Sequence, residues 1–315
     1  MAGGHVAAGA EQLRVPPGRQ GPGPLPGALV DTLDLAVARR AGGMLPGDRR
    51  GVGVGSGTEL AQLRPYVPGD DVRQLDPAAS ARTGIPHVRE HVPERALTTW
   101  VLLDVSPSMA FGTADRLKSD VAEGVTLVVS RLALRRGGRI ALATCGAATE
   151  RLLPPRGGRG ALAGVRRVLA EGVAIDGHLP AIEPGHPSPL ARALARLRKL
   201  TAHPGLVVVV SDFRGPRDWR PALSALGARH GVLAVEVRDP REETLPSVGP
   251  LALVDPETGA RVEVDTSSAR LRERFAAAAR EDRAAVAEQL RRARVEHVVL
   301  STEGDYLRVL GRRLR

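Results

Sequence analysis

The sequence is poor in cysteine, lysine and aromatic rings: one cysteine, two lysines and 2% Phe, Trp and Tyr in 315 residues. Each scarcity excludes something. A single thiol, Cys145, forms no internal disulfide and no thiolate zinc site, which fits a reducing, cytoplasmic setting. So few rings leave little with which to stack bases, and no helix-turn-helix or aromatic RNA-binding motif stands in the chain. No stretch approaches the roughly 18–20 continuous apolar residues of a membrane span, because Arg, Gly or Pro interrupts every run. Met1 to Ala10 lack a basic segment followed by an apolar one, so no secretory leader is expected there.

What the chain has in quantity is arginine. Basic residues number 45 against 35 acidic, a formal +10, and Lys118 and Lys199 are the two lysines. Up to Ala96 there are 11 basic and 10 acidic residues, from Leu97 to Glu243 there are 21 and 14, and beyond that 13 and 11. A surplus of this kind suits nucleic acid, an anionic surface or an acidic protein. Its concentration in the middle of the chain favours steering of an acidic protein, and no nucleic-acid partner is expected.

Three stretches differ in pattern. Residues 1–27 are rich in Gly and Pro without an apolar face and read as a disordered tail. Residues 28–96 open with a helix over Ala28 to Arg40 and a glycine-rich connector over Gly42 to Gly57. No Gly-Lys-Ser/Thr follows that connector, so it is not read as a phosphate loop. From Leu97 to Arg315 strands and helices alternate, which predicts a mostly parallel sheet with helices on both faces. Leu206 to Val210 is the strongest strand, five apolar residues suited to a strand covered on both faces. Leu251 to Val254 and Arg261 to Val264 flank the turn sequence Asp255-Pro-Glu-Thr-Gly259 and predict a hairpin.

Polar residues stand where two of these strands end. Asp104, Ser106 and Ser108 follow the strand starting at Leu97, and Ser211-Asp212 follow the valine-rich one. Ser188 precedes the helix beginning at Pro189, as an N-cap. In an open α/β sheet, ligands bind beyond the carboxyl ends of strands. Carboxylates and hydroxyls gathered there make a hard oxygen set suited to Mg²⁺ or Mn²⁺ and poor for zinc.

The spacing Asp104-x-Ser106-x-Ser108, with Ser188 and Asp212 later, resembles the metal-ion-dependent adhesion site of von Willebrand factor A-like domains. Upstream, Tyr66-Val-Pro68-Gly69-Asp70-Asp71-Val-Arg73-Gln-Leu-Asp76, followed by Ser80-Ala-Arg82, is similar to the signature of the bacterial family called domain of unknown function 58. The resemblance runs from about Glu59 to Tyr306 and implies a doubly wound α/β domain over 97–315, with the signature segment packed on it. It implies Asp104, Ser106, Ser108, Ser188 and Asp212 as cation ligands. It also implies a MoxR-type AAA+ ATPase as partner, an acidic client protein, and no catalysis by the chain itself. Two positions depart from the pattern: Pro77 replaces the family's usual Trp, and Ser188 replaces the adhesion-site threonine.

Asp70, Asp71 and Arg73 are expected to make charge-assisted bonds that pin the segment rather than to catalyse. A phosphotransferase of the haloacid-dehalogenase type needs a second carboxylate two residues after its nucleophile, and here that residue is Ser106. His87 and His91 have no third ligand near them in sequence, which disfavours zinc. Cys145 reads as a small buried hydrophobe. The arginines of the long helix from Ala269 alternate with acids, as on a solvated or docking face.

Overall fold

A computed structural model describes residues 59–92, 97–135, 137–173 and 185–313. The tail expected over 1–27, the helix over 28–40 and the glycine-rich connector over 42–57 lie outside them. The described residues form two units, one ending at Leu97 and one starting at Thr98.

In the first unit, strand β1 (Glu59–Pro65) pairs antiparallel with β2 (His87–Val92), and helix α1 (Pro77–Thr83) lies between them in sequence. The signature residues build the connection. Asp70 accepts both Arg64 Nη1 and Nη2 at 2.8 Å and the Val67 N–H at 2.8 Å, closing the turn through Pro68 and Gly69, whose φ is 110°. Tyr66 donates its N–H to the Pro86 carbonyl at 2.8 Å. Asp71 caps a short 3-10 turn by accepting the Arg73 N–H at 3.0 Å, and Asp76 caps α1 by accepting the Ala79 N–H at 2.8 Å. Pro77 thereby occupies the first helical position, where a missing N–H costs nothing. Arg82 sits in the last turn of α1, where a cation suits the helix dipole. The charge-assisted bond expected of Asp70 thus goes to Arg64 of the same ribbon. Arg73 joins the network through its backbone.

The second unit is a six-stranded sheet in the order β10-β7-β6-β3-β4-β5. Its strands are β3 (Thr98–Asp104), β4 (Arg139–Cys145), β5 (Leu152–Arg156), β6 (Leu206–Ser211), β7 (Gly231–Arg238) and β10 (Glu296–Ser301). All pairs are parallel except β4 with β5. Side chains alternate across β3: Val101 and Leu103 enter one core with α2 (Lys118–Arg135), α3 (Arg159–Leu169) and α7 (Tyr306–Arg313). Trp100 and Leu102 enter the opposite core with α4 (Pro189–Leu200), α5 (Arg220–Gly227) and α6 (Ala269–Arg292). Val207 to Val210 of β6 are fully buried, as a strand covered on both faces requires. This is the doubly wound, mostly parallel α/β arrangement, with helices on both faces. The hairpin strands β8 (Pro250–Val254) and β9 (Arg261–Asp265) form a separate two-stranded sheet.

Pro154-Pro155 lies inside β5, where an edge position spares the missing donors. No helix among the described residues is long and apolar enough to cross a membrane.

Candidate functional site

From β3 the chain moves to β4 on one side, and β6 later joins β3 on the other, so strand order reverses between β3 and β6. Their carboxyl ends flank the crevice in which such sheets bind ligands. Asp104 ends β3, accepting the Ser106 N–H at Oδ1 (2.9 Å) and the Ser211 hydroxyl at Oδ2 (2.5 Å). Ser106 then opens a 3-10 turn over Pro107–Ala110, which brings its Oγ to 3.1 Å from Ser108 Oγ. Gly146, just past β4, closes against this turn with φ 85°. A Cβ there would sit 2.8 Å from Asp104 Oδ1 and 2.9 Å from the Ser106 nitrogen, so glycine is required.

After β6 the backbone turns sharply, with Phe213 at φ 53° and its N–H bonded to Ser211 Oγ at 2.9 Å. That turn delivers Asp212, whose Oδ1 accepts the Arg214 N–H at 3.1 Å and whose Oδ2 accepts Lys118 Nζ at 2.6 Å. Lys118, fully buried at the start of α2, also donates to Glu242 Oε1 at 2.7 Å. Arg283 of α6 extends the network, bonding the Asp212 carbonyl at 3.0 Å, Glu236 Oε1 at 2.9 Å and Glu242 Oε2 at 3.0 Å. Arg283 therefore points into the unit, unlike the solvated arginines expected of this helix; Arg291 and Arg292, which pair with Glu288, match that expectation.

The two aspartates are equally buried, yet their carboxyls are shifted in opposite directions. Burial raises the Asp104 pKa, the charge of Asp212 raises it further, and bonds from Ser211 and Ser106 offset this only in part. Burial works in the same direction on Asp212, but the Lys118 ammonium outweighs it and holds that carboxyl at about 2. Burial pulls Lys118 down, yet Asp212 and Glu242 together keep its pKa above the ordinary value. Among the described residues, no salt bridge reaches Asp104.

The structure thus gathers Asp104, Ser106, Ser108 and Asp212; the Ser108 hydroxyl also interacts with Asp212. Ser188 caps α4 as expected, accepting the Ala191 N–H at 3.2 Å. Its hydroxyl donates to Asp218 Oδ1 at 2.6 Å and its N–H to Asp218 Oδ2 at 2.7 Å, and no hydrogen bond among the described residues joins it to the other four. Sequence reasoning placed Ser211 at the strand end without a role and missed Gly146, Lys118, Glu242, Arg283 and Glu257. One signal was there for Lys118, one of two lysines in a chain that otherwise uses arginine. Glu257 arrives from the hairpin tip and accepts the Ser108 N–H at Oε1, 3.2 Å.

The other candidates have local roles. His87 Nδ1 lies 3.1 Å from Thr83 Oγ1 and 2.9 Å from the Ile85 carbonyl oxygen, while the His91 side chain lies outside the described residues. Cys145 is fully buried, and burial pushes its thiol pKa well up. An open cleft of about 290 Å³ beside Arg214, Phe275 and Asp282 contains Glu242, but that carboxylate is already bonded to Lys118 and Arg283.

Among the described residues, no three His, Cys, Asp or Glu side chains group as metal ligands, so a cation held here must draw part of its shell from hydroxyls. The donor set fits a hard divalent ion in that way. Asp104 is a buried carboxylate with no salt bridge among the described residues, the paired hydroxyls of Ser106 and Ser108 stand in the turn that follows it, and Lys118 bonds Asp212 instead.

Comparison with known proteins places the chain. A model of the family described as "Protein of unknown function DUF58" matches residues 62–285. An uncharacterised protein of Mycobacterium tuberculosis (strain ATCC 25618 / H37Rv) is 40% identical over 281 residues, which is 89% of this chain and 86% of that protein. Among solved structures, an aerotolerance-related membrane protein from Bacteroides fragilis aligns over 70% of this chain and 96% of its own at 12% identity, with a TM-score of 0.40. The SpRpn10 VWA domain aligns over 69% and 94% at 11% identity, with a TM-score of 0.34. On the match over 62–285 and the 40% identity across most of both chains, this protein belongs to the DUF58 family of proteins of unknown function.

Proposed function

We propose that the chain is a protein-binding adaptor whose serine turn holds Mg²⁺ or Mn²⁺ and, through it, an acidic residue of another protein. The observation that carries this reading is Asp104: a buried carboxylate with no cationic partner among the described residues, beside the hydroxyl pair of Ser106 and Ser108. Asp104, Ser106 and Ser108 would hold the ion, with Asp212 behind them. A bound ion would supply an electrophilic position open to an incoming carboxylate. Lys118 fixes Asp212 in its ionised form, and Gly146 leaves room for the turn to close. The arginine surplus from Leu97 to Glu243 supports an acidic partner.

A MoxR-type AAA+ ATPase as the working partner rests on the family resemblance of the signature segment alone. The absence of a Gly-Lys-Ser/Thr phosphate loop from the sequence suits a chain that takes its energy from another protein. Titration calorimetry with Mg²⁺ and Mn²⁺ tests the site: wild type binds, and Asp104→Ala loses binding. Equal binding by both removes the site from the proposal. Co-purification with such an ATPase, with Mg²⁺ and with a chelator, tests the partner.

A further inference from the structure

The hairpin of β8 and β9 places a carboxylate where the proposed site is least expected to need one. Asp255 shapes the tip by accepting the Glu257 N–H at 2.9 Å and the Thr258 N–H at 3.4 Å, and this turn projects Glu257 onto the serine turn 149 residues away in sequence. There Glu257 is half-buried. Glu257 thus stands at the serine turn that follows Asp104, and the buried ammonium of Lys118 bonds Asp212 and Glu242 rather than either of these two carboxylates. The hairpin is a two-stranded ribbon with Leu251, Leu253 and Val264 half-buried and Val254 and Val262 exposed, anchored at its base by Thr266, which donates to the Gly249 carbonyl and accepts the Val248 N–H. A ribbon of two strands is weakly held by itself, and the bond from the Ser108 N–H to Glu257 fixes its tip at the site.

We infer that Glu257 is a ligand of the cation site supplied from within the chain, standing where the carboxylate of an acidic partner would bind, so that hairpin and partner compete for one position. The inference rests on the cation reading above and adds to it the residue that keeps the site closed until a partner arrives.

Manganese is the probe. Free Mn²⁺ is followed by electron paramagnetic resonance, and the water on bound Mn²⁺ by proton relaxation enhancement, in wild type, Glu257→Gln, Glu263→Gln and Asp104→Ala. The glutamine at 257 keeps an oxygen for the Ser108 N–H. Glu263 is an exposed acid of the same hairpin, paired to Arg261, and controls for charge alone. Expected is a roughly tenfold weakening in Glu257→Gln, with a higher enhancement as water replaces the carboxylate, and wild-type values in Glu263→Gln. Acetate, as a free carboxylate, should quench the enhancement at lower concentration in Glu257→Gln than in wild type. Wild-type affinity and enhancement in Glu257→Gln, an equal weakening in Glu263→Gln, or identical acetate responses overturn the inference, while binding lost only in Asp104→Ala leaves the cation site standing. No Mn²⁺ binding by wild type removes both together.

Discussion

Asp104 and Asp212 emerge at the carboxyl ends of two neighbouring parallel strands, and both are almost fully buried. Asp212 is closed off: a lysine holds its carboxylate and an arginine its carbonyl, and through Glu242 and Glu236 these cations join β6, β7, α2 and α6. Asp104 is left with a hydroxyl, an amide and a glycine against it, and its pKa rises where that of its neighbour falls. Equal burial with opposite shifts means that the cation decides, not the depth. A buried charge with its cation already in place is architecture; one without it is a place for something to bind.

The strongest way to break that contrast is to remove the cation. Lys118→Met leaves Asp212 and Glu242 without the ammonium that bonds both, and removing one partner of a buried ion pair costs about 3–5 kcal/mol. Urea unfolding should register a loss of that size, and a loss below about 1 kcal/mol would show that water reaches Asp212 and that the network is not closed.

Next in size is Gly146→Ala. It combines a left-handed backbone with a Cβ 2.8 Å from Asp104 Oδ1, for a destabilisation of about 2 kcal/mol and loss of Mn²⁺ binding. Stability lost with metal affinity intact would mean that the serine turn relaxes around the methyl group and that its geometry is not critical.

Asp104→Asn should do the least to the fold. In metal-free buffer it removes a charge disfavoured by burial and by Asp212, so stability stays within about 1 kcal/mol of wild type or rises, whereas Asp212→Asn destabilises. Adding Mg²⁺ should raise the melting temperature of wild type and leave that of Asp104→Asn unchanged. Equal destabilisation by the two asparagines would erase the distinction between architecture and binding.

What the sequence made legible was local. Strand β6 announced itself through four consecutive valines, Ser188 through the Pro189 that follows it, and the hairpin through its Asp-Pro-Glu-Thr-Gly tip. Asp104 and Asp212 could be placed because each ends a strand, and strand ends in such sheets meet at one edge. The rest arrives from far along the chain: Lys118 meets Asp212 across 94 residues, and Arg283 meets Glu242 across 41. No periodicity encodes those meetings, because they depend on how helices α2 and α6 seat on opposite faces of the sheet. The arginine spacing along α6 matched its solvated face and concealed the one arginine that turns inward. Ser188 teaches the complementary lesson. Its place in the fold was legible, but Asp218, 30 residues on, takes its hydroxyl.

A third aspartate sharpens the contrast between Asp104 and Asp212 from outside the second unit. Asp70 also has a pKa of about 2, lowered first by its bond with Arg64 and next by the Val67 N–H, yet it sits near the surface of the β1–β2 ribbon. Its folded pKa lies below the ordinary 3.8, so its contribution to stability is present above that value and is lost as pH falls through about 2. Asp212 follows the same sign over the same window, but its lysine is buried and screened from salt. Carboxyl titration by NMR should therefore separate them. Raising the salt to about 1 M, where the Debye length falls to about 3 Å, moves the Asp70 midpoint toward 3.8 and leaves that of Asp212 in place. Arg64→Gln should raise the Asp70 midpoint alone. If salt moved both midpoints equally, the lysine would be exchanging with solvent, and Asp212 would belong with the open aspartate rather than the closed one.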